Sequence, residues 1–266
     1  MSAIGLGAHD NDNEMSEDGR SRELPGNRIL DALTSDVRER VVGQLTPKSL
    51  KSRTVLFDSG QVLTHVHFPV SGVISLVTPF DDGSSVEVAT IGNEGIVGVP
   101  LIEGGSLAVR AISQVAGTTL RMKTATFLAE LGKGGVLGDL VQNYTQALFG
   151  QISQAAACNR LHSNEERLSR WLLMSHDRVG TDEFHITQEF LGQTLGSRRA
   201  TVTLSMGILQ AAELIRYRRG RVTILNRVGL EDVSCECYAV IREVLERGMA
   251  QKRAAGERGF EPRKSV

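Results

Sequence analysis

The chain has 266 residues, 41% of them hydrophobic and 23% charged, with a formal net charge of −1, which is ordinary for a soluble globular protein of one or two domains. Three cysteines (Cys158, Cys235 and Cys237) are too few and too unevenly spaced for a disulfide framework. No apolar run reaches the roughly 20 residues that span a bilayer, and the N-terminus lacks a basic stretch before an apolar core, so a cytoplasmic protein without a membrane partner is expected.

In chain order, residues 1–27 carry Asp10, Asp12, Glu14, Glu17 and Asp18 with scarcely any apolar content, which predicts a disordered tail. From Arg28 to Leu50, apolar residues Ile29, Leu30, Leu33, Val37, Val41, Val42 and Leu45 fall near a 3.6 period, so this stretch is predicted helical. Short β-rich pieces follow over Thr54–Phe57, His65–Val70, Val73–Thr78, Ser85–Ile91, Val109–Val115 and Thr118–Met122, separated by Gly/Asp turns. Strands at that spacing predict a small antiparallel sandwich or barrel.

A long helix without proline is predicted over Gly135–Asn159. Val141, Tyr144, Leu148, Ile152 and Ala155 recur on it at three- and four-residue steps, the stripe expected to meet a second copy of the chain. Ser163-Asn164-Glu165-Glu166 fits a capping box that opens another helix, whose buried face would include Leu168, Trp171 and Leu172. The predicted divisions are therefore a tail over 1–27, a β-roll over 28–134, a helix for pairing two copies over 135–159, a further domain over 160–234, and a C-terminal helix with a basic tail over 235–266.

The most informative stretch runs from His185 to Arg227. It has a short helix beginning near Thr187 and Gln188, a corner at Leu195-Gly196-Ser197, a second helix opening with Arg198 and Arg199, and a hairpin tipped by Arg218-Arg219-Gly220. Between His185 and Leu230 seven arginines stand against Glu189 and Glu213, a local excess of five positive charges in a nearly neutral chain. On the second helix Val202, Met206 and Leu209 share a narrow arc and should face a core, while Arg199, Ala200, Thr203 and Leu204 lie opposite. Ser197 is the expected N-cap. Two arginines at a helix N-terminus oppose the helix dipole, a local cost that a functional surface would explain. Arginine can bind guanine O6 and N7, Thr201 and Thr203 can reach phosphates or base edges, and Ala200 and Leu204 can meet thymine methyls. Arg218 and Arg219 on the wing would hold phosphate, and Thr187, Gln188, Ser197 and Arg198 complete the candidate DNA-binding residues.

The order of a helix, a β-roll, a long helix and a winged helix-turn-helix resembles the Crp/Fnr family of transcription regulators over about residues 28–230. The specific part is Thr187-Gln188-Glu189-Phe190-Leu191-Gly192 through Gly196-Ser197-Arg198-Arg199-Ala200-Thr201-Val202, then Leu214-Ile215-Arg216-Tyr217. It is similar to the family's Thr-Arg/Gln-Glu-x-(Ile/Leu)-(Gly/Ala), corner, Ser-Arg-Glu-Thr-Val and the leucine-isoleucine before the wing. Matched on the Thr-Val pair, the resemblance puts Arg199 at the family's base-reading arginine. Ala200 replaces a glutamate and Leu204 a second arginine, so a different operator is implied.

What the resemblance implies is an α+β protein with a cyclic-nucleotide-binding-like antiparallel β-roll, a dimerisation helix and a winged helix-turn-helix. It would be a homodimeric regulator that binds palindromic double-stranded DNA, works with RNA polymerase and takes a small-molecule effector in the roll. The family's nucleotide pocket needs a glutamate for ribose and an arginine for phosphate. Gly98-Val99-Pro100 and Leu107-Ala108 stand at those places, and Arg110 is displaced by about three positions, which changes strand face. A cyclic nucleotide is therefore not expected, and with no cysteine before residue 158 neither is an iron–sulfur cluster. The alternatives are a regulator whose roll is only a scaffold or protein-contact surface, or a nonspecific DNA-binding architectural protein.

Other chemistry is weaker. His65-x-His67 would share a strand face, and Cys158 and His162 have the i,i+4 spacing of a metal or thiol switch. Packing is the expected role of both pairs, and Cys235-x-Cys237 lacks zinc-knuckle spacing. Gly92-Asn93-Glu94-Gly95-Ile96-Val97-Gly98 lacks a P-loop's Lys-Ser/Thr. No catalytic constellation points to an enzyme.

Overall fold

The computed structural model describes residues 26–99 and 107–250. Most of the expected N-terminal tail (1–25) and the basic stretch after residue 250 lie outside the described residues. Where the expected tail meets the described chain, Asn27 is fully integrated. Its side-chain oxygen accepts from the amides of Ile29 and Leu30, and its amide donates to Pro69 O (2.9 Å) and Gly95 O (3.0 Å). It thereby caps α1 (Arg28–Asp31) and ties that helix to the roll.

The helix expected over Arg28–Leu50 is broken into three pieces. After α1 comes α2 (Ser35–Val42), and then a strand, β1 (Thr46–Leu50). Pro47 cannot sit inside a helix, and β1 is an edge strand, where a missing N–H is tolerated. The roll is completed by β2 (Val55–Phe57), β3 (His65–Pro69), β4 (Val73–Pro79), β5 (Ser85–Ile91), β6 (Arg110–Val115) and β7 (Gly117–Lys123). These pair antiparallel in two sheets, β1-β7-β3 and β2-β6-β4-β5. Their inward side chains, among them Val66, Phe68, Ile74 and Ile91, form one core with Ile29 and Leu30.

A short helix α3 (Thr124–Leu131) leads into α4 (Val136–Leu161), the long helix. Its apolar stripe does not face outward. Val141, Tyr144 and Leu148 are buried in the roll's core with Ile152 packed against it, and Ala155 is buried as well. Each large side chain there gains roughly 1.5–3 kcal/mol from burial, and the open face of the roll lies next to it in the chain. The stripe expected to pair with a second copy is thus spent inside the protomer.

The C-terminal half comprises α5 (Asn164–Val179), β8 (Glu183–His185), α6 (Gln188–Leu195), α7 (Arg199–Ala211), β9 (Ile215–Arg218), β10 (Arg221–Ile224) and α8 (Arg227–Val233). The Ser163 capping box forms in full at the start of α5. Leu168, Trp171, Leu172, Val202, Met206, Leu209 and Val222 build a second core, which Val73 and Val115 of the roll join. Last comes α9 (Cys237–Ala250), which lies along α4, with Val244 against Gly150 and Gly248 against Ala147.

Two buried polar clusters join the roll and the C-terminal half. Arg178 of α5 donates to Glu94 (2.7 Å) and to the carbonyl of Thr90 (3.2 Å). Glu87 of β5 receives Ser75, Gln114 (3.0 Å) and the indole N–H of Trp171 (3.1 Å), and Gln114 also donates to Thr194 of α6 (3.0 Å). Burial outweighs the Ser75 donor, the Arg170 and Arg178 charges and the Trp171 donor, and pushes the Glu87 carboxyl up to about 7. Among the described residues, no helix is long and apolar enough to cross a membrane.

Candidate nucleic-acid interface

The α6–α7 pair is set by one residue at the corner. Gly196 closes α6 in the left-handed region (φ +58°), which turns the chain sharply enough for α7 to cross α6. Thr187 caps α6, its Oγ1 accepting from Phe190 N at 3.2 Å. Ser197 does not cap α7 as expected. Its hydroxyl turns inward to Asn164 Oδ1 (2.5 Å) on α5, and the cap position passes to Arg198, whose side chain makes no capping bond. This bond to α5 wins because Asn164 sits beside the corner. The α7 N-terminal amides are consequently left without a side-chain acceptor, a suitable arrangement for an anion.

With Val202, Met206 and Leu209 buried, the other side of α7 is open. Arg198, Arg199, Ala200, Thr203 and Leu204 are exposed, Leu204 at 65%, while Thr201 is half-buried. The Thr203 hydroxyl lies 3.0 Å from Gln188 Oε1 and 2.9 Å from Arg199 O, which fixes Gln188 against α7. A cleft of about 270 Å³ runs between α6, α7 and the wing, lined by Thr187, Gln188, Arg199, Arg219 and Gly220.

The wing is a tight two-residue hairpin in which Arg218 pairs with Arg221. Both turn residues have positive φ, Arg219 at +51° and Gly220 at +79°. That pattern belongs to a type I′ turn, which favours Asn-Gly; an arginine at the first position costs roughly 1–2 kcal/mol of backbone strain. Among the described residues no carboxylate pairs with Arg198, Arg199, Arg216, Arg218 or Arg219, whereas Arg221 pairs with Glu183 and Arg227 with Asp177 and Glu231. The local positive excess therefore resolves into five arginines on the α7 tip and wing, and two that serve the fold. Near the same surface, Arg53 of the roll reaches Glu189 (3.5 Å).

Two other constellations deserve placement. His65 and His67 have ring centroids 6.4 Å apart, but Lys48 and Arg121 stand beside them, and burial first and then these cations hold His67 at about 3. Such a neutral pair among cations suits no metal ion. The cysteines behave differently: Cys158, His162, Cys235 and Cys237 bring their ligand atoms within 4.8 Å of one another. The i,i+4 pair at the end of α4 and the Cys-x-Cys pair at the start of α9 are each incomplete in sequence, and their meeting is a tertiary fact.

Residues 47–139 match the family described as a cyclic nucleotide-binding domain, and residues 166–233 the one described as a Crp-like helix-turn-helix domain. The global nitrogen regulator of Synechococcus elongatus is 23% identical over 193 residues, covering 68% of this chain and 85% of that protein. FixK2 from Bradyrhizobium japonicum shares the fold with a TM-score of 0.62 at 15% identity, over 72% of this chain and 98% of that one. A transcriptional regulator of the crp/fnr family from Eubacterium rectale gives 0.58 at 17% identity, over 77% and 96%.

Arg110, the guanidinium closest in sequence to the expected phosphate position, is held by Asp58 in a two-point pair at 2.9 and 3.0 Å. Gly98 and buried Val99 stand where an acidic residue would take the ribose, and Leu107 packs against the core.

Proposed function

The chain belongs to the Crp/Fnr family of transcription regulators, and from that premise we propose that it binds a palindromic operator as a homodimer. The observation that carries the reading is the outer face of α7. Arg199, Ala200, Thr203 and Leu204 are presented together beside an arginine-tipped wing. In this reading Arg199 reads guanine, Ala200 and Leu204 meet thymine methyls, and Thr203 and Thr201 meet base edges or phosphate. Arg198, the unfilled α7 amides, Thr187, Gln188, Arg218 and Arg219 hold the backbone on either side of the cleft.

The proposed dimer seam is the outward stripe of α4. Gln142, Gln146, Phe149, Ser153, Ala156 and Arg160 are all exposed and alternate four- and three-residue steps, the 3.5-residue period of a coiled coil. Phe149, 71% exposed, is its apolar anchor, and Ser153 and Ala156 let two helices approach closely. Two-fold symmetry then sets half-sites about one helical turn apart, roughly 34 Å. RNA polymerase is the further partner of such a regulator.

A second reading concerns the roll. The Arg110–Asp58 pair favours a regulator that takes no cyclic nucleotide, its roll acting as a scaffold or binding another effector. Selection of bound sequences from a random duplex pool tests the main reading. A symmetric consensus with a two-fold footprint is expected; equal retention of all sequences would reduce the protein to a nonspecific DNA binder.

A further inference from the structure

The end of α4 and the start of α9 meet at a group of side chains that DNA binding does not use. Cys158 lies in the last turn of α4 and His162 caps its end, its amide donating to Cys158 O at 3.1 Å, which keeps the two residues one turn apart. Cys235 precedes α9 and Cys237 begins it. All three thiols are buried, and they form a cluster of their own, separate from both hydrophobic cores. Thiols that merely filled space would be expected to mix with aliphatic neighbours.

Two of the distances are already those of a single ion's ligands, and the others need close by no more than about 1 Å. Cys158 Sγ and Cys235 Sγ are 3.5 Å apart, Cys237 Sγ and His162 Nδ1 are 3.5 Å apart, and all four donors lie within 4.8 Å. Four ligands around a tetrahedral zinc, with Zn–S near 2.3 Å and Zn–N near 2.0 Å, stand about 3.4–3.8 Å from one another. A multi-iron cluster would hold its thiolates farther apart.

The surroundings repeat the pattern of a metal site. His162 presents Nδ1 to the thiols while its Nε2 meets the Glu236 carboxylate at 3.2 Å, the partner that orients a ligating imidazole. Gln154 Nε2 donates to Cys237 Sγ at 3.0 Å. Arg167 and Arg170 are buried close by, each with an unpartnered Nε. Three thiolates and a neutral imidazole around a divalent ion carry one net negative charge, which these guanidiniums offset. The imidazole edge is partly exposed and gives the ion a way in.

We propose that Cys158, His162, Cys235 and Cys237 bind one thiophilic divalent cation of the zinc type in a tetrahedral Cys₃His site. Binding releases three thiol protons and forms three metal–sulfur bonds and one metal–nitrogen bond, with no change of oxidation state. The ion joins the last turn of α4 to the first turn of α9. It also borders the route to the helix-turn-helix corner, because Arg167 donates to the carbonyl of Leu195 at the end of α6.

The test uses the full-length protein, purified under reducing conditions without chelator, with Zn²⁺ and Co²⁺ as probes. One equivalent of zinc per chain is expected, and Co²⁺ loading should give intense tetrahedral d–d bands with sulfur-to-cobalt charge transfer. Glu236→Gln, at a side chain 73% exposed and so harmless to folding, should weaken Co²⁺ binding about tenfold or more. Cys237→Ser should lower the charge-transfer intensity, and His162→Ala should shift the d–d bands. A folded wild-type chain that takes up neither ion while its thiols react freely overturns the proposal. So does a Cys158–Cys235 disulfide in protein isolated without oxidant, or Co²⁺ spectra that none of the three variants alters.

Discussion

Replacing Glu87 by glutamine should remove a pH-dependent weakness from the junction between roll and DNA-binding half. Glu87 is buried, and its carboxyl rises from 4.5 to about 7, chiefly through desolvation, with the Ser75 donor, the Arg170 and Arg178 charges and the Trp171 donor opposing. At 1.36 kcal/mol per unit the rise is worth about 3 kcal/mol against the ionised form. The native state therefore holds this proton more tightly than the unfolded chain does. The favourable contribution is complete below about pH 4.5 and is lost as pH climbs through about 7. The substituted amide keeps a carbonyl for the Trp171 indole, offers N–H groups to the Ser75 hydroxyl, and does not ionise. It can also donate to Gln114 Oε1, which has no partner, if that amide turns over. Urea unfolding of both proteins from pH 5 to pH 8 should thus show the variant gaining on wild type by up to about 3 kcal/mol over that interval. Trp171 is the chain's only tryptophan, so its emission reports on the junction directly. In wild type it should titrate near pH 7, and in Glu87→Gln it should not. A stability difference that stays constant with pH, or an unchanged titration in the variant, would refute the argument.

Arg199→Ala should cost about 1–3 kcal/mol at the selected operator and relax preference at one position per half-site, read by quantitative footprinting. Arg218→Ala should instead weaken all sequences alike and reduce the salt slope by about one, measured by binding titrations at several ionic strengths. Arg219→Asn should relieve the left-handed strain and raise stability by up to about 1 kcal/mol while lowering DNA affinity, so thermal unfolding and binding should move in opposite directions. Phe149→Glu should yield monomers in sedimentation without unfolding the protomer, because the side chain lies on the outer face of α4; an unchanged dimer would place the seam elsewhere.

Local signals in the sequence marked much of this architecture. Ser85–Ile91 is a strand with the same bounds as expected, since alternating side chains and Gly/Asp turns leave little choice of period. The Ser163 capping box and the burial of Val202, Met206 and Leu209 follow equally from spacing within a few residues. Several elements escaped, among them β1 and α3. Thr46–Leu50 has no alternation because only Leu50 of that edge strand is buried, and α3 follows β7 without a capping residue to announce it. At the candidate interface, exposure of Arg199 and Leu204 could be read from helical phase, but the inward turn of the Ser197 hydroxyl depends on Asn164, which is 33 positions away.

By itself, the sequence determined the order of elements, the outward face of α7 and the concentration of arginines on its tip and wing, because those depend on neighbours one or two turns apart. Tertiary structure decided everything that required distant segments to compete for the same surface. The apolar stripe of α4 went to the roll, Arg110 went to Asp58, and two incomplete Cys/His pairs separated by 77 residues came together. Helical periodicity says which residues share a face; only packing says what that face will meet.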